Sequence, residues 1–113
     1  MEILTSRVNL DYIRDLSQNW YGEMIKAVAD VENGLIAVDA ELHSDLERLL
    51  LENGSNQESL WGFNIYPELD GEDFVEFDSL INIRPRQNNR SRDVEDPQVR
   101  EKIISIVNEF IEK

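Results

Sequence analysis

The sequence predicts an α+β fold, with three helices packed mainly on one face of an antiparallel or mixed sheet of four or five strands. Three observations lead to this prediction. The dipeptide Asn33-Gly34 separates two apolar segments, a pattern typical of a β-hairpin. Asp96-Pro97 is typical of a helix start, with an acidic N-cap followed by proline at the first helical position. Apolar residues also recur at helical spacing in three segments, so we expect the order (β)αββαββα within one domain, residues 1–113.

The first segment predicts a short strand and a helix. Residues Glu2–Thr5 are expected to form the strand. A helix over residues 10–21 follows, with Asn9 as its N-cap and Gly22 just beyond its end. Its apolar face consists of Leu10, Ile13, Leu16 and Trp20.

The hairpin and the second helix come next. Strands over residues 24–31 and 35–38 flank Asn33-Gly34, whose residue types favour the two positive φ angles of a type I′ turn. A second helix is expected to begin after Asp39 as N-cap and to end at Asn53-Gly54. Its apolar residues are Leu42, Leu46, Leu49 and Leu50.

The second half of the chain predicts another pair of strands and a final helix. The strands cover residues 60–66 and 74–84, and a proline stops each of them. An irregular loop over residues 86–95 leads to the helix that begins at Asp96-Pro97. The apolar stripe of this helix is Val99, Ile103, Ile104, Ile106, Val107, Phe110 and Ile111.

One face of the predicted 60–66/74–84 strand pair is almost wholly apolar, and the other is polar. The polar face carries Asn64, Tyr66, Asp78, Asn82 and Arg84. The solvated face of a one-sided sheet explains these residues without any function. The functional alternative is a shallow platform for an anion or small ligand, where the asparagines donate hydrogen bonds, Tyr66 makes contact and Arg84 supplies charge.

Four arginines fall within residues 84–92, in a chain whose formal net charge is -13. Arginine pairs bidentately with carboxylate or phosphate, so this loop, with Ser91, has the residue types of an anion cradle. Three interpretations remain open. The arginines neutralise the protein's own acidic residues, which we rank first; they contact an acidic protein surface or a second copy of the chain; or they bind a small anionic ligand.

The composition excludes several kinds of site. Without cysteine there is neither a disulfide nor a thiolate metal site, and one histidine is too few for an ordinary zinc site, so no metal and no cofactor is expected. The pI near 4.3 argues against nucleic-acid binding. The apolar runs are too short for a membrane span, and we expect a cytoplasmic protein.

The single histidine, His43, carries the enzyme alternative. Glu41 and His43 would approach Arg84 and Arg90 across a cleft, with His43 as the general base and the arginines holding an anionic substrate. The simpler interpretation is a solvated histidine in a first helical turn, where Ser44 and Glu47 fit a capping box. A homodimer formed through the strand over residues 35–38, or through the arginine loop, is a further possibility.

Two segments, "AVDAELHSDLERLLLENGSNQESLWGFNIYPE" and "EFDSLINIRPRQNNRSRDVEDPQVREKI", resemble a family of small bacterial and archaeal proteins known only as a domain of unknown function. The resemblance covers about residues 24–107 and implies no activity, substrate or cofactor. It favours Arg84 and Arg90 over Arg86 and Arg92, which fall at looser positions of the pattern. The matching positions are Glu41, His43, Trp61, Asn64, Tyr66, Pro67, Asp78, Asn82, Arg84, Pro85, Asn89, Arg90 and Ser91.

The leading hypothesis is therefore a small cytoplasmic binding or regulatory protein. Its anion-recognising site would combine the polar face of the 60–66/74–84 strands with loop 84–92. The expected ligand-binding residues are Arg84, Arg90, Asn82, Asn64, Tyr66 and Ser91.

Overall fold

A five-stranded antiparallel sheet forms the centre of the computed structural model, which describes residues 1–20 and 22–113. In chain order the elements are β1 (Glu2–Ile3), β2 (Val8–Asn9), α1 (Leu10–Gln18), β3 (Ile25–Asp30), β4 (Leu35–Val38), α2 (His43–Glu52), β5 (Leu60–Ile65), β6 (Val75–Glu76), α3 (Pro97–Phe110) and β7 (Ile111–Glu112). The strand order in the large sheet is β1-β4-β3-β5-β6, while β2 and β7 pair in parallel as a separate small sheet. The predicted α+β fold class is confirmed.

The predicted cap residues start two of the helices. The side chain of Asn9 accepts a hydrogen bond from the N–H of Tyr12 at 3.0 Å at the start of α1. The carboxylate of Asp96 accepts a hydrogen bond from the N–H of Gln98 at 2.9 Å at the start of α3. The predicted end of the first helix was too late, since α1 ends at Gln18; Tyr21, the last residue of that prediction, lies outside the described residues.

The β3–β4 hairpin is confirmed, but its turn is not the expected two-residue type. Asp30 pairs with Leu35, so the connection has four residues, and among them only Gly34 has a positive φ, of 69°. Asp30 shapes this loop, because its carboxylate accepts the N–H groups of the second and third loop residues at 2.9 and 3.0 Å. Burial acts to raise the pKa of Asp30, but hydrogen bonds from Ser55 and from the loop outweigh it and hold that pKa below its usual value.

The second helix, α2, begins later than predicted. Asp39 does not cap it: its backbone has a φ of 74°, and its carboxylate accepts the indole N–H of Trp20 at 2.9 Å. Leu42 occupies the N-cap position, and its apolar side chain makes no capping hydrogen bond. Ser44 lies inside the helix and not at the N-cap position, so the Ser44–Glu47 capping box is not formed.

The predicted long strand over residues 74–84 is wrong for most of its length. Only β6 pairs with β5, and the chain then forms 3-10 turns at Leu80–Asn82 and Pro85–Gln87. The cause lies in β5, where Gly62 lacks a side chain and Ser79 packs directly against it; a Cβ there would lie 2.6 Å from the Ser79 hydroxyl oxygen. The side chain of Asn82 then takes the place of a strand partner, accepting the N–H of Gly62 at 2.8 Å and donating to its carbonyl at 2.9 Å.

Helices cover both faces of the sheet. The apolar residues of α1 and α3 pack on one face, in a core that includes Ile13, Phe63 and Ile103. The helix α2 packs on the opposite face through Leu46 and Leu50. The expectation that helices lie mainly on one face holds for two of the three, and the polar face of β5 is partly covered by α2 rather than open to solvent.

The position of β4 bears on pairing with a second copy of the chain, and the length of the helices bears on membrane insertion. Strand β4 lies between β1 and β3, and Ile36, Ala37 and Val38 are fully buried, so among the described residues β4 is paired on both sides. A homodimer of the chain stays a prediction. Within the described part of the chain, the helices are not long and apolar enough to cross a bilayer.

Candidate functional site

A cleft with a volume of about 560 Å³ opens where the N-terminus of α2 faces β5 and the turn that follows β6. This volume lies within the range of small-molecule sites, about 300–1,000 Å³. Three of the residues predicted from the sequence, His43, Asn64 and Tyr66, line it together. The other lining residues that matter here are Lys26, Leu42, Ser44, Glu76, Asp78, Leu80 and Arg92.

The floor of the cleft carries a row of three polar residues across neighbouring strands. The strand register pairs Lys26 of β3 with Asn64 of β5, and Asn64 with Glu76 of β6. Directly paired residues project from the same face of a sheet. Because adjacent strands are about 4.8 Å apart, the backbones of Lys26 and Glu76 lie about 10 Å apart.

Asn64, at the centre of this row, is only 4% exposed. Its side-chain N–H₂ donates to the Glu76 carboxylate at 2.9 Å and makes a longer contact of 3.4 Å with the carbonyl of Asp78. Its Oδ1 accepts no hydrogen bond from any part of the chain that the structure describes. A buried acceptor without a donor costs about 1–3 kcal/mol, so this atom has an unmet requirement for an N–H or O–H group.

His43 lies beside Asn64 and is also buried. Its Nε2 is 2.8 Å from the carbonyl oxygen of Phe63. Because a carbonyl only accepts, Nε2 carries the proton of the neutral ring, and Nδ1 presents a lone pair. Burial lowers the pKa of His43 to about 4; Phe63, Asn64 and Asp78 act to raise it, and Lys26 acts to lower it. His43 is therefore neutral at pH 7.

The walls of the cleft hold two further polar pairs. The hydroxyl of Tyr66 donates to the Glu76 carboxylate at 3.0 Å, and burial together with that carboxylate raises the pKa of Tyr66. Arg92 pairs with Asp78 at 2.5 Å, and both side chains are about half exposed. Such a pair contributes only about 0–1 kcal/mol, and the two charges cancel locally.

Arg84 lies in a different place from the residues of the cleft. Its guanidinium stacks 4.1 Å from the centre of the Trp61 ring and donates to the carbonyls of Gln57 and Leu60, both at 2.5 Å. The carbonyls of Leu60 and Phe63, which anchor Arg84 and His43, are three residues apart on β5, about 10 Å. The structure thus brings neither Arg84 nor Glu41 into the cleft with His43.

The arginine loop is organised around an acid of its own chain. The backbone N–H groups of Arg90 and Ser91 donate to one carboxylate oxygen of Glu95, both at 2.9 Å, and the Ser91 hydroxyl donates to the same oxygen at 2.8 Å. These hydrogen bonds, that of the Ser91 hydroxyl first, lower the pKa of Glu95. The Glu95 carboxylate thus occupies the Ser91 hydroxyl, one of the donors expected for a ligand, and its other two donors are backbone N–H groups and not guanidinium groups.

The predicted position of Asn82 was wrong, since it does not lie on a solvated face. It is fully buried, and besides Gly62 it donates to the carbonyl of Arg92 at 3.0 Å. Asn89 is buried as well and donates to the carbonyls of Asn82 and Asp93 at 2.8 and 2.7 Å. Both amides hold the 79–93 segment in place.

Comparison with protein families then defines the relationship of the chain. A family model described as Protein of unknown function (DUF5674) matches residues 2–110. The chain belongs to this family. The resemblance inferred from the sequence is confirmed at this level, and the bacterial and archaeal distribution of the family stays a prediction. No curated protein and no solved structure matches the chain.

Membership in DUF5674 brings no assigned activity, so the site is argued from its geometry. Sequence reasoning missed two residues of the cleft floor, Lys26 and Glu76. The strand register identifies them, because it places the basic Lys26 on one side of Asn64 and the acidic Glu76 on the other. That register follows only from knowing that β5 lies between β3 and β6.

Proposed function

We propose that this DUF5674 protein is a small cytoplasmic binding protein whose ligand is a small polar molecule with an acidic group, held in the cleft at the N-terminus of α2. One observation carries the proposal. Asn64 Oδ1 is a buried acceptor at the cleft, next to the His43 ring, and the described chain supplies no donor to it. A ligand that donates a hydrogen bond there removes the cost of this arrangement. A cytoplasmic location suits a fold built without cysteine.

The acidic group of the ligand is suggested by the groups that surround this acceptor. Lys26 supplies positive charge on one side of the floor. His43 and Ser44 begin α2, and its N-cap residue, Leu42, makes no side-chain capping hydrogen bond. A helix N-terminus favours anions through its first N–H groups and its dipole. The proposal therefore retains the anion recognition that the sequence predicted, but it places the anion in the cleft and not at the arginine loop.

The properties of His43 favour binding over acid–base catalysis. A general base works best when its pKa lies near the working pH. Burial lowers the pKa of His43 to about 4, which makes it a weak base at pH 7. Glu41, the partner expected in the enzyme alternative, is exposed and does not line the cleft.

A ligand screen with matched charge variants tests the proposal. A panel of small carboxylates, phosphates and amino acids is screened by thermal shift, and hits are mapped by ¹H–¹⁵N spectra. We expect a hit to raise the melting temperature by several degrees near 100 times its Kd, where binding contributes about 2.7 kcal/mol. Lys26→Gln should reduce this shift, and Arg90→Gln should leave it unchanged.

The opposite ranking of the two variants contradicts the proposal. If Arg90→Gln abolishes the shift and Lys26→Gln preserves it, the ligand binds at the arginine loop and the cleft is not the site. Spectral changes confined to residues 84–92 lead to the same conclusion.

A further inference from the structure

We infer that the ligand of the cleft is a free α-amino acid with an apolar side chain. Its ammonium group binds beside Asn64 and Glu76, and its carboxylate binds at the N-terminus of α2. This inference rests on the proposed function and names the class of ligand for the same site.

The orientation of the Asn64 amide defines the group that a ligand has to supply. The Asn64 side-chain N–H₂ donates to the Glu76 carboxylate at 2.9 Å and lies 3.4 Å from the carbonyl oxygen of Asp78, and both of these groups only accept hydrogen bonds. Turning the amide round would place Oδ1 against these two acceptors. Oδ1 is therefore the end of the amide that needs a donor, and the described residues supply none. A ligand N–H is the complement of this atom.

The charge of Glu76 favours a cationic donor over a neutral one. Glu76 accepts hydrogen bonds from the Asn64 amide and the Tyr66 hydroxyl, which are both neutral. The ion pairs found among the described residues do not include Glu76, whereas Asp78, in the same cleft, is paired with Arg92. Charge-assisted hydrogen bonds are about twice as strong as neutral ones. An ammonium group therefore fits this end of the cleft better than a hydroxyl group.

The carboxylate of the ligand is placed by the N-terminus of α2. The first N–H groups of an α-helix have no partner within the helix and attract anions. The N-cap residue of α2, Leu42, makes no side-chain capping hydrogen bond. His43 and Ser44, the first two residues of the helix, line the cleft, and the acidic residue of the first turn, Asp45, does not. This end of the cleft is thus suited to a carboxylate.

A single residue connects the two ends of the cleft. The backbone of His43 begins α2, and its ring lies next to the Asn64 side chain. The ring is neutral, so it adds no positive charge that would repel an ammonium group. The ammonium group and the carboxylate of the ligand therefore bind close together, with only the side chain of His43 between their sites. In an α-amino acid both groups are attached to the same carbon, which keeps them this close.

The apolar rim of the cleft suggests the side chain of the amino acid. Leu42 is 50% exposed and Leu80 is 67% exposed, and both line the cleft. Neither packs into the two cores of the protein. Apolar surface beside a few well-placed polar groups is usual in small-molecule sites. An apolar side chain on the ligand would contact these two leucines.

The test compares L-leucine with three analogues of the same shape. L-α-Hydroxyisocaproate replaces the ammonium group by a hydroxyl, isocaproate lacks both, and L-leucinamide lacks the charge of the carboxylate. Each compound is titrated into ¹⁵N-labelled protein, and shifts of the Asn64 side-chain amide and the backbone of residues 42–44 are followed. We expect L-leucine to bind at the cleft, and the hydroxy acid and the amide to bind at least about tenfold more weakly. Isocaproate should be the weakest acid, because it leaves the Asn64 acceptor without a donor.

One protein variant assigns the ammonium group to its partner. Glu76→Gln keeps a side-chain oxygen that can accept from Asn64 and Tyr66 but removes the negative charge. It should weaken L-leucine to about the affinity of the hydroxy acid and leave the hydroxy acid no weaker than before. Glu101→Gln, which removes an exposed acid on α3, is the matched control and should leave all affinities unchanged.

The outcomes separate this inference from the proposed function. If L-leucine binds the cleft no better than isocaproate or L-leucinamide, or if none of the four binds while another compound of the screen does, the amino-acid class is wrong and the binding site stands. If neither these four nor any compound of the screen perturbs the cleft, both are wrong. Equal weakening of L-leucine and the hydroxy acid by Glu76→Gln overturns the assignment of the ammonium group to Glu76.

Discussion

His43 illustrates how a single buried side chain responds to its surroundings. It is the only histidine of the chain, it is 7% exposed, and its proton is held by the Phe63 carbonyl. Burial makes His43 a weak base, and for the same reason the folded protein favours the neutral form of its ring. A buried neutral histidine also ties folding to pH, and this property is measurable without knowing the ligand.

We predict that stability falls on acidification through this residue. The folded pKa of His43, about 4, lies below its value of 6.5 in the unfolded chain, so the unfolded state binds more protons between these pH values. The stabilisation is present above pH 6.5 and is lost as the pH falls towards 4, by about 3 kcal/mol in total. Urea unfolding of the wild type and of His43→Gln at several pH values isolates this contribution as their difference. A histidine titration midpoint near 6.5 in the folded protein, measured by NMR, would contradict it.

At the scale of elements, the contact between β5 and the segment after β6 decides the shape of the cleft. Gly62 allows Ser79 and Ile81 to lie directly on β5, and the Asn82 amide then bonds to the Gly62 backbone. This arrangement carries Leu80 to the rim of the cleft instead of continuing β6. A backbone hydrogen bond that a strand would have made is here supplied by a side chain.

We predict that Gly62→Ala displaces this turn. The added Cβ would lie 2.6 Å from the Ser79 hydroxyl oxygen and 2.7 Å from its Cβ, so the backbone of the turn has to move. A loss of about 1–3 kcal/mol of unfolding free energy is expected from such overpacking. Adding Ser79→Gly removes both of these close contacts and should restore part of the loss, which a double-mutant cycle measures. Additive effects of the two substitutions would mean that this contact does not place the turn.

The same contact shows where prediction from the sequence succeeded and where it failed. Asn9, Asp96-Pro97 and Asn33-Gly34 are local signals, and the elements that they start or join were predicted because their causes lie within a few residues. The alternation in residues 74–84 is equally local, but its outcome depends on a glycine in another strand. In the candidate site, His43, Asn64 and Tyr66 could be proposed from the sequence because their residue types are visible there. The contacts of Arg84 with Trp61, Gln57 and Leu60 could not be predicted, because they depend on the tertiary fold.

Over the whole molecule, charge is the dominant feature. The formal net charge of -13 on 113 residues opposes folding through repulsion among the carboxylates. Ion pairs such as Arg14–Glu68 and Arg92–Asp78 lie on the surface with side chains at least 40% exposed, and each contributes little. The arginine loop takes part in this balance through the Arg92–Asp78 pair and through the charge of Arg90, which helps to lower the pKa of Glu95.

We predict that salt stabilises the protein. At an ionic strength of about 0.01 M the Debye length is about 30 Å, comparable to the 38 × 29 × 23 Å dimensions of the molecule, so most carboxylates repel one another. At about 1 M it shortens to about 3 Å, and this long-range repulsion is screened while the few close ion pairs lose little. The melting temperature at pH 7 should therefore rise steadily from low to high NaCl. KCl should produce the same curve, because screening depends on ionic strength and not on the identity of the cation. A melting temperature that falls with salt would show that the surface ion pairs outweigh the repulsion.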